Sequence, residues 1–189
     1  FKYLSLKVKK KNIILVSGNV SFTGNSKYFF LENLKNNKLF NVYYVTYFKH
    51  IYDELKKNNL PSILFYDNCS LETINTLLYA QYTFSDFDLK ADGKKNNLLH
   101  YSLTFGSKKI STYHGISLKR FNFQKENFLS SDPDMIYEYI SKKEVDYFIS
   151  PSKNVDKIWA DHFYDPKKII YMGHPIHNSF KSNHDKNEL

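Results

Sequence analysis

Short apolar runs rich in β-branched and aromatic residues alternate along this chain with longer amphipathic stretches, and few folds accommodate that alternation. Ile13-Ile14-Leu15-Val16 is apolar at every position and predicts a buried strand. It stops at Ser17-Gly18, and a loop through Gly24-Asn25 leads to a helix starting near Ser26. Tyr28, Phe29, Leu31 and Leu34 form that helix's apolar stripe. The unit then recurs. Strands are predicted over 42–45 and 63–66, with helices over 51–57 and through Leu71, Ile74, Leu77 and Leu78. A short strand and loop follow over 82–88, and strand segments over 98–105 and 109–113 are broken at Gly106. Asp132-Pro133 opens a helix running to about 143. A strand over 146–150 turns at Pro151-Ser152 into a helix carrying Val155, Ile158, Trp159 and Phe163, and 169–172 is the last strand. After Pro175 the sequence turns polar and reads as a frayed end or linker. The expected fold is α/β: a Rossmann-like parallel sheet with flanking helices. The Rossmann-like domain is expected over 1–175, with an interdomain linker or the start of a further domain over 176–189.

In such a sheet ligands bind beyond the carboxyl ends of the strands. The site is therefore expected to draw on the segments 17–26, 113–119, 150–152 and 173–177. The first links strand to helix with two glycines and several hydroxyl and amide groups. Backbone N–H groups at such a helix start suit phosphate or carboxylate, and a plain turn capped by Asn25 or Ser26 is the alternative. It lacks the Gly-Lys-Ser/Thr ending of a P-loop and the glycine spacing of a dinucleotide fingerprint. In the second, His114 stands at the end of a predicted strand before Gly115, with Lys119 and Arg120 a few residues on. Imidazole exchanges protons near neutral pH, and the basic pair can meet phosphate oxygens, with a structural histidine as the alternative. In the third, Ser150 and Ser152 suit helix capping. His174 and His177 have a spacing sometimes used for metal, but no Cys, Asp or Glu completes a ligand set nearby, so no metal is expected.

The 189 residues include 27 Lys plus Arg against 19 Asp plus Glu, a net charge of +8. That balance suits an anionic partner: nucleic acid, acidic lipid or phosphorylated polymer. The aromatics fall at strand and helix-stripe positions rather than beside clustered basic residues, so core packing accounts for them and no nucleic-acid partner is expected. No apolar stretch approaches the roughly 20 residues of a membrane span. Cys69 is the single cysteine and has no partner for an internal disulfide, which points to the cytosolic side of a membrane. The opening Phe1-Lys2-Tyr3 carries no initiator Met, as expected of a piece of something longer.

Four segments together resemble a known family. Gly24-Asn25-Ser26-Lys27-Tyr28 is similar to its Asn-x-Lys-Tyr helix entry, and Tyr113-His114-Gly115-Ile116-Ser117-Leu118-Lys119 to its Trp-His-Gly-Thr-Pro-Leu-Lys signature. Segments 146–152 and Gly173-His174-Pro175 resemble two further motifs, in the same order. The family is that of the CDP-glycerol:poly(glycerophosphate) glycerophosphotransferases, which build teichoic acids and capsule polymers. Departures are Tyr113 for Trp, Ile116-Ser117 for Thr-Pro, Ile176 for Arg and Asn178 for Asp.

The resemblance implies the N-terminal, acceptor-side half of a two-domain GT-B fold. It implies transfer of glycerol phosphate, or a related polyol phosphate, from a CDP-activated donor to a hydroxyl of a growing envelope polymer, with release of CMP. His114 would be the general base. Asn25, Ser26, Gly115, Lys119, Arg120, Ser150 and Ser152 would bind substrate. No cofactor is implied. The CDP-glycerol or related CDP-polyol donor would be held mainly by a C-terminal domain outside this chain, so the chain alone would be inactive. The acceptor would be lipid-linked or polymeric, at the cytoplasmic face of the bacterial cell membrane, where the enzyme would sit peripherally on an anionic surface. A non-catalytic α/β module gripping an anionic polymer or membrane is the alternative.

Overall fold

A computed structural model describes residues 1–18, 21–65, 69–86, 96–112, 144–155 and 165–179. Among them a seven-stranded sheet runs in the order β3-β2-β1-β4-β5-β6-β7, with every neighbouring pair parallel. The strands are β1 (Lys11–Ser17), β2 (Asn41–Thr46), β3 (Ser62–Leu64), β4 (Ala80–Ser85), β5 (Lys108–Ser111), β6 (Tyr147–Ser150) and β7 (Ile169–Tyr171). The helices are α1 (Lys2–Lys7), α2 (Gly24–Asn36), α3 (Lys49–Lys57), α4 (Leu71–Tyr79), α5 (Asn96–Leu103) and α6 (Pro175–Ser179). None is long and apolar enough to cross a membrane.

The unbroken apolar run of β1 lies at the centre because both its faces are covered. Ile14 and Val16 join Phe30, Val42, Tyr44, Ile51, Leu55 and Phe84 under α2 and α3. Leu15 joins Val45, Ile63, Phe65, Leu77 and Leu103 under α4 and α5. Each such side chain contributes roughly 1.5–3 kcal/mol on leaving water, so β1 anchors both layers. One extra residue of β1 between Lys11 and Ile14 shifts its register against β4. Stacked Phe29 and Phe84 rings, 3.8 Å apart at 1°, pin α2 across β4.

Two local readings change. The segment 98–105, expected as a strand, lies mostly in α5. Parallel pairing of β4 with β5 demands a crossover, and Leu99 and Leu103, four residues apart, turn to the same core layer. The polar stretch after Pro175 begins with α6, which packs on α2. The expected helix over 132–143 and most of the one after Pro151 lie outside the described residues; what is described there is a single 3-10 turn, Lys153–Val155. Helix α4 starts as its sequence suggests, with Ser70 Oγ accepting the Thr73 N–H at 3.1 Å.

His100 is buried in the α5 layer, bonded through Nδ1 to the Tyr47 hydroxyl and with its ring 5.4 Å from that of Phe65. Burial pushes its imidazole down from 6.5 to about 4. The unfolded chain therefore binds the extra proton first as pH falls. The stability owed to neutral His100 is complete above about pH 6.5 and is lost on acidification toward pH 4, by roughly 3 kcal/mol. Denaturant midpoints measured from pH 7.5 down to pH 4.5 are expected to fall steeply for the wild type and less steeply for His100→Gln. Parallel curves would show that His100 is not the acid-sensitive group.

Candidate functional site

β1 leads through α2 to β2 on one side, and the chain later returns to place β4 on the other. The crevice at a reversal of strand order is where open α/β sheets hold ligands. Here it is bounded by Ser17 and Gly18, the first turn of α2, and Asp86 just beyond β4. Asp86 is 5% exposed, and its carboxylate accepts the Ser26 N–H at 2.8 Å. Ser26 Oγ donates to the Ser17 carbonyl at 2.6 Å and accepts the Asp86 N–H at 3.3 Å. Asp86 thus caps α2 from 60 residues away, while the side chain of Thr23 at the N-cap makes no capping bond to the helix. The cap expected from Asn25 or Ser26 is not what the structure uses, because both residues lie inside the first helical turn. A carboxylate suits the positive end of a helix, and in this chain it stands against the same N–H groups that an external phosphate would seek.

The glycines make this close packing possible. Gly24 has φ +70°, and a Cβ there would lie 2.8 Å from Asp86 Oδ2. A Cβ on Gly18 would overlap the Tyr44 hydroxyl. That hydroxyl is buried and has no hydrogen-bond partner among the described residues. Burial, then the Asp86 charge, push the phenol well above its usual range, so it stays protonated and able to donate.

A second junction ties the last segment to the first. Asn25, fully buried, offers Nδ2 to His174 Nδ1 at 3.5 Å and accepts the Ile176 N–H on Oδ1 at 3.3 Å. His174 Nε2 faces the Ile149 carbonyl at 3.4 Å, so the neutral Nε2–H tautomer satisfies both contacts. Burial lowers the His174 imidazole, the Ile149 bond opposes this, and His177 adds to the lowering. The His174 and His177 rings lie 5.6 Å apart, and among the described residues no group of three or more His, Cys, Asp or Glu is placed to hold a metal.

Of the residues singled out from the sequence, Asn25, Ser26 and Ser150 are buried at this carboxyl edge. Ser150 Oγ donates to the Ser152 carbonyl at 3.0 Å, and Ser152 Oγ accepts the Asn154 N–H at 3.1 Å. The structure therefore gathers the described residues of 17–26, together with 150–152 and 173–177, along one edge. His114, Gly115, Lys119 and Arg120 lie outside the described residues. Sequence reasoning missed Asp86 and Tyr44. A carboxylate two residues after Phe84, just past the predicted strand Tyr82-Thr83-Phe84, was the available signal for the first. Nothing local marks the second, since a strand tyrosine ordinarily reads as core.

Residues 1–189 match the family model of the CDP-glycerol:poly(glycerophosphate) glycerophosphotransferases. No curated protein matches the chain in sequence. A solved structure of the wall teichoic acid polymerase TagF aligns with TM-score 0.64 and 20% identity, covering 98% of this chain and 45% of that one. A TagF variant soaked with CDPG aligns with TM-score 0.59 and 17% identity, over 95% of this chain and 42% of that one. HepE from Anabaena, in complex with UDP, aligns with TM-score 0.56 and 10% identity, over 86% and 44%. The chain thus spans less than half the length of the structures it resembles. Its fold is the Rossmann-like unit of a GT-B half that the sequence suggests.

The Asp86 cap yields a stability prediction. Asp86→Ala leaves the Ser26 N–H buried and unpaired, with an expected loss of about 2–3 kcal/mol in denaturant unfolding. Gly24→Ala is expected to cost about 1–2 kcal/mol for its backbone conformation alone. Losses under about 0.5 kcal/mol in both variants would mean that the junction does not hold the edge together.

Proposed function

The chain belongs to the CDP-glycerol:poly(glycerophosphate) glycerophosphotransferase family, and from that premise we propose that it forms the acceptor side of an enzyme extending a polyol-phosphate polymer of the cell envelope. The observation that carries this reading is the convergence of three motif-bearing segments, 17–26, 150–152 and 173–177, on the carboxyl edge of the sheet at its topological switch. His114 follows the last residue of β5, Ser111, by three positions in the chain.

In this reading an acceptor hydroxyl attacks the β-phosphorus of CDP-glycerol or a related CDP-polyol. The new P–O bond forms as the bond to the bridging oxygen breaks, and CMP leaves with that electron pair. His114 takes the hydroxyl proton, which makes a neutral alcohol a competent nucleophile. Lys119 and Arg120 meet phosphate oxygens. Asn25, Ser26, Gly115, Ser150 and Ser152 shape the acceptor side, with Asn25 and Ser26 held in place by the His174 and Asp86 junctions. The donor is held mainly by a second half outside these 189 residues, so the isolated chain does not turn over. The enzyme serves a teichoic-acid or capsule type of polymer and works peripherally at the cytoplasmic face of the membrane, next to a lipid-linked acceptor.

The test is CMP release from CDP-glycerol and CDP-ribitol by the protein that joins this chain to its donor-binding half. Release is expected with one donor at least. His114→Ala should lower it by roughly 10²–10⁴-fold while acceptor binding persists. Undiminished turnover in that variant removes His114 from the base role. Release by the 189-residue chain alone overturns the two-half reading. No release from either donor leaves a binding module.

A further inference from the structure

A second hollow lies at the amino ends of the strands, away from the switch crevice. It is about 270 Å³ in volume and sits between α1, the turn joining α5 to β5, and the segment entering β6. Polar bonds hold α1 in place as one of its walls. Ser5, the buried residue of that helix, donates through Oγ to the Leu103 carbonyl at 2.6 Å and accepts the Gly106 N–H at 2.9 Å. Gly106 lies so close under the Ser5 carbonyl that a Cβ would overlap it. This seat leaves Leu6 58% exposed, and Leu6 and Phe105 supply the apolar part of the lining.

Four charged residues join them, two of each sign: Lys108, Lys109, Glu144 and Asp146. Two of the four satisfy each other. Asp146 Oδ1 accepts from the Lys108 ammonium at 2.9 Å, and its Oδ2 accepts the Lys109 backbone N–H at 2.9 Å. One charge of each sign is left over. Glu144 Oε2 is buried and has no hydrogen-bond partner among the described residues. The Lys109 ammonium donates to the Phe105 carbonyl at 3.0 Å and lies 5.0 Å from the centre of the Phe105 ring. An ammonium has three N–H donors, and this bond uses one. Both charges are held at a cost. Burial raises the Glu144 carboxyl, against the opposing charges of Lys2 and Lys168. Burial pushes the Lys109 ammonium down to about 8, Asp146 opposes this, and Lys2, Lys10 and Lys108 push it the same way as burial.

Size and charge narrow the ligand. The hollow is smaller than the roughly 300–1,000 Å³ of sites for drug-sized ligands, and too small to enclose a nucleotide. Its lining balances in charge. A simple anion would meet the orphaned carboxylate, and a simple cation would meet Lys109. A molecule with both signs on a short backbone meets each with its opposite. We propose that this hollow binds a free α-amino acid with an apolar side chain: the ammonium donates to Glu144, the carboxylate accepts from Lys109, and the side chain lies against Leu6 and Phe105. The site is separate from the proposed transfer chemistry and does not depend on it. Leu6 belongs to α1, while Lys109 lies at the start of β5 and Glu144 just before β6. A bound amino acid therefore ties the helix to the sheet and stabilises the fold by mass action.

The experiment is isothermal titration calorimetry of the 189-residue chain with L-leucine and with two analogues that each lack one charge. Leucinamide lacks the carboxylate, and isocaproate lacks the ammonium. Leucine is expected to bind about tenfold or more tighter than either, the worth of one charge-assisted hydrogen bond. Glu144→Gln is expected to weaken leucine about tenfold and to leave isocaproate bound as well as before or better. Lys109→Gln is expected to weaken leucine by a similar factor and to leave leucinamide unchanged. These crossed effects distinguish a lost ligand contact from a lost fold, which would abolish all binding. No binding of leucine to the wild type overturns the proposal. So does equal binding of all three compounds, which marks apolar contact alone. Tighter binding of glycerol than of leucine overturns it too, and marks a site for neutral polyols.

Discussion

The carboxylate of Asp86, lodged against the first turn of α2, is the contact on which the carboxyl edge depends. It joins three elements that diverge there: β4, which it follows, α2, whose Ser26 N–H it accepts, and β1, reached through Ser26 Oγ and the Ser17 carbonyl. Where strand order reverses, the helices on the two faces part and leave a gap. A negative side chain facing a helix N-terminus closes that gap with favourable electrostatics rather than with bulk. Gly24 and Gly18 carry no Cβ because Asp86 and the Tyr44 hydroxyl occupy that space.

The cap also shapes the proposed chemistry. The Ser26 N–H at the start of α2 would otherwise be an inviting phosphate site, and here it is engaged from within the chain. The groups buried behind this edge are neutral and directional instead: a protonated Tyr44 phenol, Asn25, and an imidazole at His174 lowered by burial.

Parallel strands give the molecule two unlike edges. All carboxyl ends lie on one, where buried serines, Asn25, Asp86 and His174 interlock. All amino ends lie on the other, which collects lysines at successive strand starts beside the outward leucines of α1. The +8 net charge therefore has a direction, which composition alone does not express.

Much of the sheet was legible in the sequence. Ile13 to Val16 could be buried on both faces only at the centre of a parallel sheet, and the apolar runs over 42–45, 63–66, 146–150 and 169–172 each lie in or overlap a strand. The segment 98–105 was misread because a short apolar run has no decisive period, and only the parallel pairing of β4 with β5 requires a helix there. Helix α1 gave no signal because its apolar residues face solvent rather than a core. Of the site, the chain by itself determined which strand-end segments carry polar and glycine residues, since local composition governs turns. Only the tertiary structure decided that Asp86 caps α2 across 60 residues and that Asn25 meets His174 across 149. Hydrogen bonds at such separations depend on strand order and crossover, and local periodicity carries no record of either.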